Sequence, residues 1–165
     1  MKTLNTISEI KEFFKSNTTP IYFISATNFN LLGIDEWVNN FKYITHIDSF
    51  EGKHPNLFSP KVEIPHEEFT SIEDINNYLL QHPEVIEFIK SRSVNGEVGK
   101  ALFLMFDEKT ELLAKQLGLE VCFPSAQLRT FLDNKVNTNR IAEKAGVACV
   151  PNVLSAVKDY NHLRK

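Results

Sequence analysis

Lys135 is the residue whose type and place first suggest chemistry. It follows Asp133-Asn134, and either of these can N-cap a helix, because a short side-chain oxygen accepts the orphan amide hydrogens of the first turn. A cation in that turn stands against the helix dipole, a misfit of about 0.3–1 kcal/mol in water. A nearby anion removes the conflict, since backbone amides and an ammonium together make a phosphate site. The plainer reading is a solvated surface lysine. Arg140, about one turn further on, either shares such an anion or lies on the solvated face. A second group is Ser25, Thr27 and Asn28, whose hydroxyls and amide stand in one loop and suit a small polar substrate. Ordinary loop polarity accounts for them equally well.

The remaining candidates are weaker. His46, His54, His66, His82 and His162 are dispersed without metal-ligand spacing and read as surface or capping groups, so no metal site is expected. Asp48 stands roughly where a dinucleotide fold keeps its ribose-binding acid, but the first turn holds only Gly33 and no G-x-G-x-x-G. Ser125 lacks the G-x-S-x-G surroundings of a hydrolase nucleophile. Asp107 reads as a helix cap rather than a base, and Asp35-Glu36 and Glu67-Glu68 as solvated acidic pairs. No residue is assigned a catalytic role. Cys122 and Cys149 are isolated in apolar contexts and read as reduced core residues of a cytoplasmic protein.

The elements that must position these groups alternate along the chain. Thr6 and Glu9 have capping-box spacing ahead of Ile7, Ile10, Phe13 and Phe14, which predicts a first helix with those four on one side. The run 21–25, IYFIS, is a strand covered on both faces. A helix over 34–41 with Trp37, Val38 and Phe41 inward is expected next, then a strand over 43–47. The punctuated stretch 49–66 allows a brief strand at 61–64. Ser71 starts a helix and Pro83 suits the first position of another. ALFLMF, 101–106, is a strand, Asp107 caps the next helix, Gly118 ends it, and 119–123 is the last strand. Ser125 caps a helix that breaks at Asp133-Asn134. A second helix from Lys135 stops at Gly146, and Pro151 forces Val150 extended. This order predicts an α/β fold: a doubly wound, mainly parallel sheet of about four or five strands with helices on both faces. Ligands in such sheets sit beyond the carboxyl ends of the strands, which is where Ser25, Thr27 and Asn28 fall.

The chain has 165 residues, 42% of them hydrophobic and 24% charged, with a formal net charge of −3. That length fits one domain, and the charge gives no electrostatic case for nucleic acid or an anionic membrane. No apolar run has the length of a membrane span, and residues 1–12 lack the apolar core of a signal peptide.

Asp133-Asn134-Lys135, Asn137-Thr138, Ala142, Ala145-Gly146-Val147 and Pro151 together resemble the segment leading into the ATP-grasp domain of ATP-dependent carboxylate–amine ligases. Biotin carboxylase and the carbamoyl-phosphate synthase large chain are similar there. The pattern departs from the family at Ala148, where proline is frequent, and at Asn134, which separates the Asp from the Lys. The resemblance implies a Rossmann-like domain over residues 1–152 and the start of an ATP-grasp domain over 153–165. It also implies that Lys135 reaches the nucleotide. The implied parent reaction uses ATP and Mg2+ to activate a carboxylate as an acyl phosphate and joins it to an amine. Small carboxylates and amines, an ATP-grasp domain and a second copy of the chain are then the partners to expect. Residues 155–165, with Val157, Tyr160 and Leu163 recurring, read as the first helix of that further domain, and the chain as a piece without activity of its own. The competing expectation is a free-standing Rossmann-like binding module without catalysis.

Overall fold

The computed structural model describes residues 3–150 and 158–163. The chain divides into two compact units, the first ending at Ala126 and the second starting at Gln127. The first unit holds five strands: β1 (Ile21–Ser25), β2 (Phe41–Thr45), β3 (Leu57–Phe58), β4 (Lys100–Leu102) and β5 (Glu120–Val121). All are parallel, in the order β3-β2-β1-β4-β5. Its helices are α1 (Ile7–Lys15), α2 (Ile72–Gln81), α3 (Pro83–Ser91) and α4 (Glu108–Gln116). The expected α/β, doubly wound parallel sheet is therefore present, with a Rossmann-like strand order and its switch point between β1 and β4.

Strand register decides which side chains share a face. Tyr22 lies opposite Lys42 and Ala101, and Phe23 opposite Tyr43 and Leu102. One core joins Tyr22, Ile24, Ile44, Ala101 and Phe103 to Ile75, Leu79 and Leu80 of α2, Val85 and Ile89 of α3, and Ala114 of α4. The other joins Phe23, Phe41 and Tyr43 to Val38, with Leu31 and Ile34 against them. Each large side chain removed from water contributes about 1.5–3 kcal/mol. That is why IYFIS reads as apolar throughout.

The helix expected over 34–41 is replaced by two 3-10 turns, Phe29–Leu31 and Ile34–Glu36. Phe41 is needed as the first residue of β2, opposite Ile21, and Asn40 turns the chain with φ 59°. Too few residues remain after Gly33 for an α-helix, so pairing overrides local propensity. Trp37, expected inward, is half exposed, with the Lys11 ammonium 5.1 Å from its ring centre. The apolar side expected of α1 is exposed, and none of its residues is buried.

The strand expected at 61–64 lies instead at Leu57–Phe58, ahead of Pro60, at the sheet edge. ALFLMF is a strand only to Leu102. Phe103 and Phe106 are buried while Leu104 and Met105 are exposed, so the chain turns there instead of alternating. The expected caps are present: Thr6 with Glu9, Ser71 on α2, and Asp107 with Thr110 on α4, while Pro83 opens α3.

The second unit contains α5 from Gln127 onward (the helix is Ala126–Asp133), α6 (Lys135–Lys144) and α7 (Tyr160–Leu163). Gly146, with φ 71°, ends α6: its amide donates to Glu143 O at 3.1 Å and the Val147 amide to Ala142 O at 2.9 Å. That bond pair is a Schellman stop, and its left-handed residue favours glycine. The expected roles of Pro151 and Val157 and the 152/153 boundary lie outside the described residues. Cys122 is exposed and Cys149 half-buried, both free thiols, so neither is the core residue expected. Among the described residues no helix is long and apolar enough to cross a membrane.

Candidate functional site

The chain leaves the central strand β1 through Ala26, Thr27 and Asn28 at the carboxyl end of the sheet. Pairing continues past the strands there: the His46 amide donates to Ser25 O at 3.3 Å and the Ile47 amide to Ala26 O at 3.0 Å. Leu31 N then bonds Asn28 O at 3.2 Å, closing the first 3-10 turn. This tight exit buries Ser25 and Ala26 and leaves Asn28 0% exposed. Asn28 makes no cap bond, and its Nδ2 and Oδ1 are buried without a hydrogen-bond partner. Leaving a buried polar group unmatched costs about 1–3 kcal/mol, which singles out Asn28 among the polar residues at this end of the sheet.

Across the switch point the chain leaves β4 toward Asp107. Asn76 of α2, also 0% exposed, holds it by donating Nδ2 to Met105 O at 2.7 Å, and its Oδ1 is buried and unpartnered. Asn77 donates to both Asp107 oxygens at 3.3 Å, and Thr110 Oγ lies 2.8 Å from Asn77 Oδ1 and from Asp107 Oδ1. Burial alone would raise the Asp107 carboxyl, but the Thr110 amide, the Thr110 hydroxyl and Asn77 outweigh it and hold Asp107 below the ordinary carboxylate range. Asp107 is thus a helix cap, occupied by its neighbours.

Asn76 belongs to none of the sequence motifs. The signal was available, because Ile75, Asn76, Leu79 and Leu80 share the buried side of one helix, and a polar residue there needs a partner. The segments leaving β1 and β4 thus each bury an asparagine with unmatched polar atoms: Nδ2 and Oδ1 of Asn28, and Oδ1 of Asn76. That set matches a small ligand with both donors and acceptors.

Next along the sheet edge, β2 runs into His46, which is 5% exposed and neither a surface nor a capping histidine. Its Nε2 donates to Ile64 O at 3.0 Å, while its Nδ1 and that of His66 are buried and unpartnered. The two rings are 5.9 Å apart, with Phe69 and Tyr78 against His46. Burial disfavours the imidazolium and holds His46 below its ordinary value, more than the Ile64 bond restores. Asp48 lies in the turn beyond. Its oxygens accept from Phe50 N at 2.9 Å and Gly52 N at 2.6 Å, which employs it structurally. Asp35 is not a solvated acid: it accepts from Tyr43 Oη at 2.8 Å and Asn56 Nδ2 at 2.7 Å.

The second unit explains most of its motif without a ligand. Asn134 Oδ1 accepts from Val136 N at 3.0 Å and Asn137 N at 3.3 Å. Asn137 Nδ2 donates to Phe131 O at 3.2 Å, and Thr138 Oγ1 donates to Leu132 O, stapling α6 to the end of α5. Asp133 pairs with Arg129 at 3.1 Å. Lys135 is left exposed at the first position of α6, and no side-chain bond holds it among the described residues. Arg140, five positions on, is turned about 140° around the axis from Lys135 at 3.6 residues per turn. Toward an anion, these residues offer an exposed ammonium at a helix end whose side-chain cap already takes two amides.

Among the described residues no three His, Cys, Asp or Glu side chains gather as for a metal ion. No protein-family model, curated protein or solved structure matches the chain.

Proposed function

We propose that the first unit is the substrate-side domain of an ATP-dependent ligase that activates a carboxylate as an acyl phosphate and joins it to an amine. The observation that carries the reading is Asn28, whose amide has neither hydrogen bond satisfied at the carboxyl end of the central strand. A carboxylic acid bearing an amino or hydroxyl group supplies both complements: oxygens for Nδ2 and a donor for Oδ1. Ser25 and Thr27 precede Asn28 in the same exit, and Asn76, bonded to the chain after β4, keeps a further unmatched acceptor. Asn28 is fully buried, so ligand entry requires the surrounding chain to open.

The reaction class rests on the resemblance around Lys135. It is supported by the division of labour in that motif, where Asn134, Asn137 and Thr138 are structural and Lys135 alone is idle. ATP supplies the phosphoryl group and Mg2+ neutralises its charge in such chemistry. Lys135 would hold a phosphate oxygen, while Ser25, Thr27 and Asn28 orient the carboxylate. Binding of small carboxylates is tested by ligand-detected NMR on the purified chain, with amino and hydroxy acids compared against unsubstituted acids. Saturable binding of a substituted acid, lost in Asn28→Ala, is expected. Indifference of every acid to Asn28→Ala contradicts the site. A ligand that binds there in a natural protein that never consumes ATP favours the binding module without catalysis.

A further inference from the structure

The amino-terminal end of the sheet, opposite Asn28, carries a polar cavity. It has a volume of about 300 Å³ and is lined by Asn40, Lys42, Ser91, Arg92, Ser93 and Val94, with Pro20 at its edge. Its walls are set by pairing and by turns. Ile21 lies opposite Phe41, which brings Pro20 beside Asn40, and Lys42 is the next residue of β2. Asn40 adopts φ 59°, its amide nitrogen donates to Thr18 O at 2.8 Å, and its carbonyl accepts from Ile21 N at 3.0 Å. On the far wall α3 ends at Ser91. The 94–97 turn is locked by Asn95 and Gly96, with φ 53° and 83°, and by reciprocal Val94–Glu97 bonds of 3.0 and 2.9 Å. Asn-Gly is the sequence such a turn requires.

What the cavity holds is two cations without an anion. Lys42 Nζ donates to Asn56 Oδ1, a neutral acceptor that satisfies one of its three protons. The carboxylate nearest in effect, Asp35, is already taken by Tyr43 and Asn56. Burial and the Arg92 charge both hold Lys42 below its ordinary value, and Asp35 only partly offsets them. Arg92 stacks on Phe88, its guanidinium carbon 4.5 Å from the ring centre, and makes no hydrogen bond or ion pair through that group among the described residues. The carbonyls at the end of α3 favour a cation at Arg92, but they do nothing for Lys42. Ser91 and Ser93 already donate their hydroxyls to Phe88 O and Glu97 O, and Glu97 itself accepts from Thr19. The donors left free in the cavity are therefore those of Lys42 and Arg92, a point charge beside a planar fork. That combination suits an oxyanion with several acceptor oxygens.

We propose that the cavity between Lys42 and Arg92 binds the phosphate group of a small phosphorylated metabolite. Its size admits a phosphate with a few further heavy atoms, at the lower end of small-molecule sites. The cavity lies at the opposite end of the sheet from Asn28, and neither site depends on the other.

The test is amide NMR on the whole chain, titrated with inorganic phosphate, then with glycerol 3-phosphate, against potassium chloride at matched ionic strength. Saturable shifts confined to residues 40–42 and 91–94 are expected, with a Kd of about millimolar. Lys42→Gln and Arg92→Gln each weaken binding about tenfold or more, the scale for losing a charged hydrogen bond. Phosphate raises the melting temperature of the parent chain, and by less in each variant at equal concentration. Lys42 is only partly buried and Arg92 is exposed, and unchanged spectra elsewhere show that the fold persists. Shifts that match chloride overturn the proposal, as do shifts that survive in both variants or that centre on Lys135.

Discussion

At the scale of single residues, the side chains worth following are those whose hydrogen bonds are not met. Asn28 is the clearest, with both amide atoms buried and unmatched. Asn28→Leu, similar in volume and without polar atoms, should raise the stability of the ligand-free chain by about 1 kcal/mol or more while abolishing carboxylate binding. Urea unfolding and ligand-detected NMR on the same preparation check both halves; a loss of stability would mean that the amide is satisfied in the native state. Lys135 differs, being exposed and idle. Under the proposed function, Lys135→Ala in the natural protein that carries this chain should weaken ATP by about 1–3 kcal/mol without changing the fold, as read by titration calorimetry. An unchanged affinity removes Lys135 from the nucleotide site.

Among elements, the tightest requirement is the start of β4. Gly99 has φ 130°, and a Cβ there would lie 2.6 Å from Pro20 O and 2.9 Å from the Tyr22 ring. Gly99→Ala should therefore destabilise the first unit by about 2 kcal/mol or more, seen as a lower urea midpoint with an unchanged slope. Much at this scale was legible beforehand. β1 is found over 21–25, and Thr6, Ser71, Pro83, Asp107 and Gly146 open or close helices as their chemistry demands. The rest was hidden because it depends on pairing between distant segments. Phe41 reads as helical until it is set opposite Ile21, and Leu57–Phe58 is a strand only because Tyr43 lies beside it. Of the site, the loop holding Asn28 was legible from its place after β1. Asn76 shows in the sequence only as a polar residue on an apolar helix side, and its partner, the carbonyl of Met105, is 29 residues away.

At the scale of the whole molecule, His46 links stability to pH near neutrality. The unfolded chain takes up its proton near pH 6.5, while burial keeps the folded ring neutral to lower pH. Unfolding therefore binds a proton, and stability is full above about pH 6.5 and falls as pH drops through that value, with a slope of at most about 1.4 kcal/mol per pH unit. Asp107, held low, contributes stability that is lost only in a separate, more acid window, below the ordinary carboxylate value. His46→Gln should flatten the upper window and leave the acid one, as measured by urea unfolding across pH; an unchanged slope near neutrality would show that another group titrates. The central claim, a carboxylate site at the exit of β1 in an ATP-using ligase, is met most directly by steady-state kinetics on the natural protein that carries this chain. Acyl phosphate is trapped with hydroxylamine while the carboxylate and ATP are varied in turn. Asn28→Ala should raise the carboxylate KM about five- to hundredfold, the equivalent of about 1–3 kcal/mol, and leave the ATP KM unchanged. Equal effects on both constants, no effect on either, or no ATP-dependent hydroxamate from any carboxylate would contradict it.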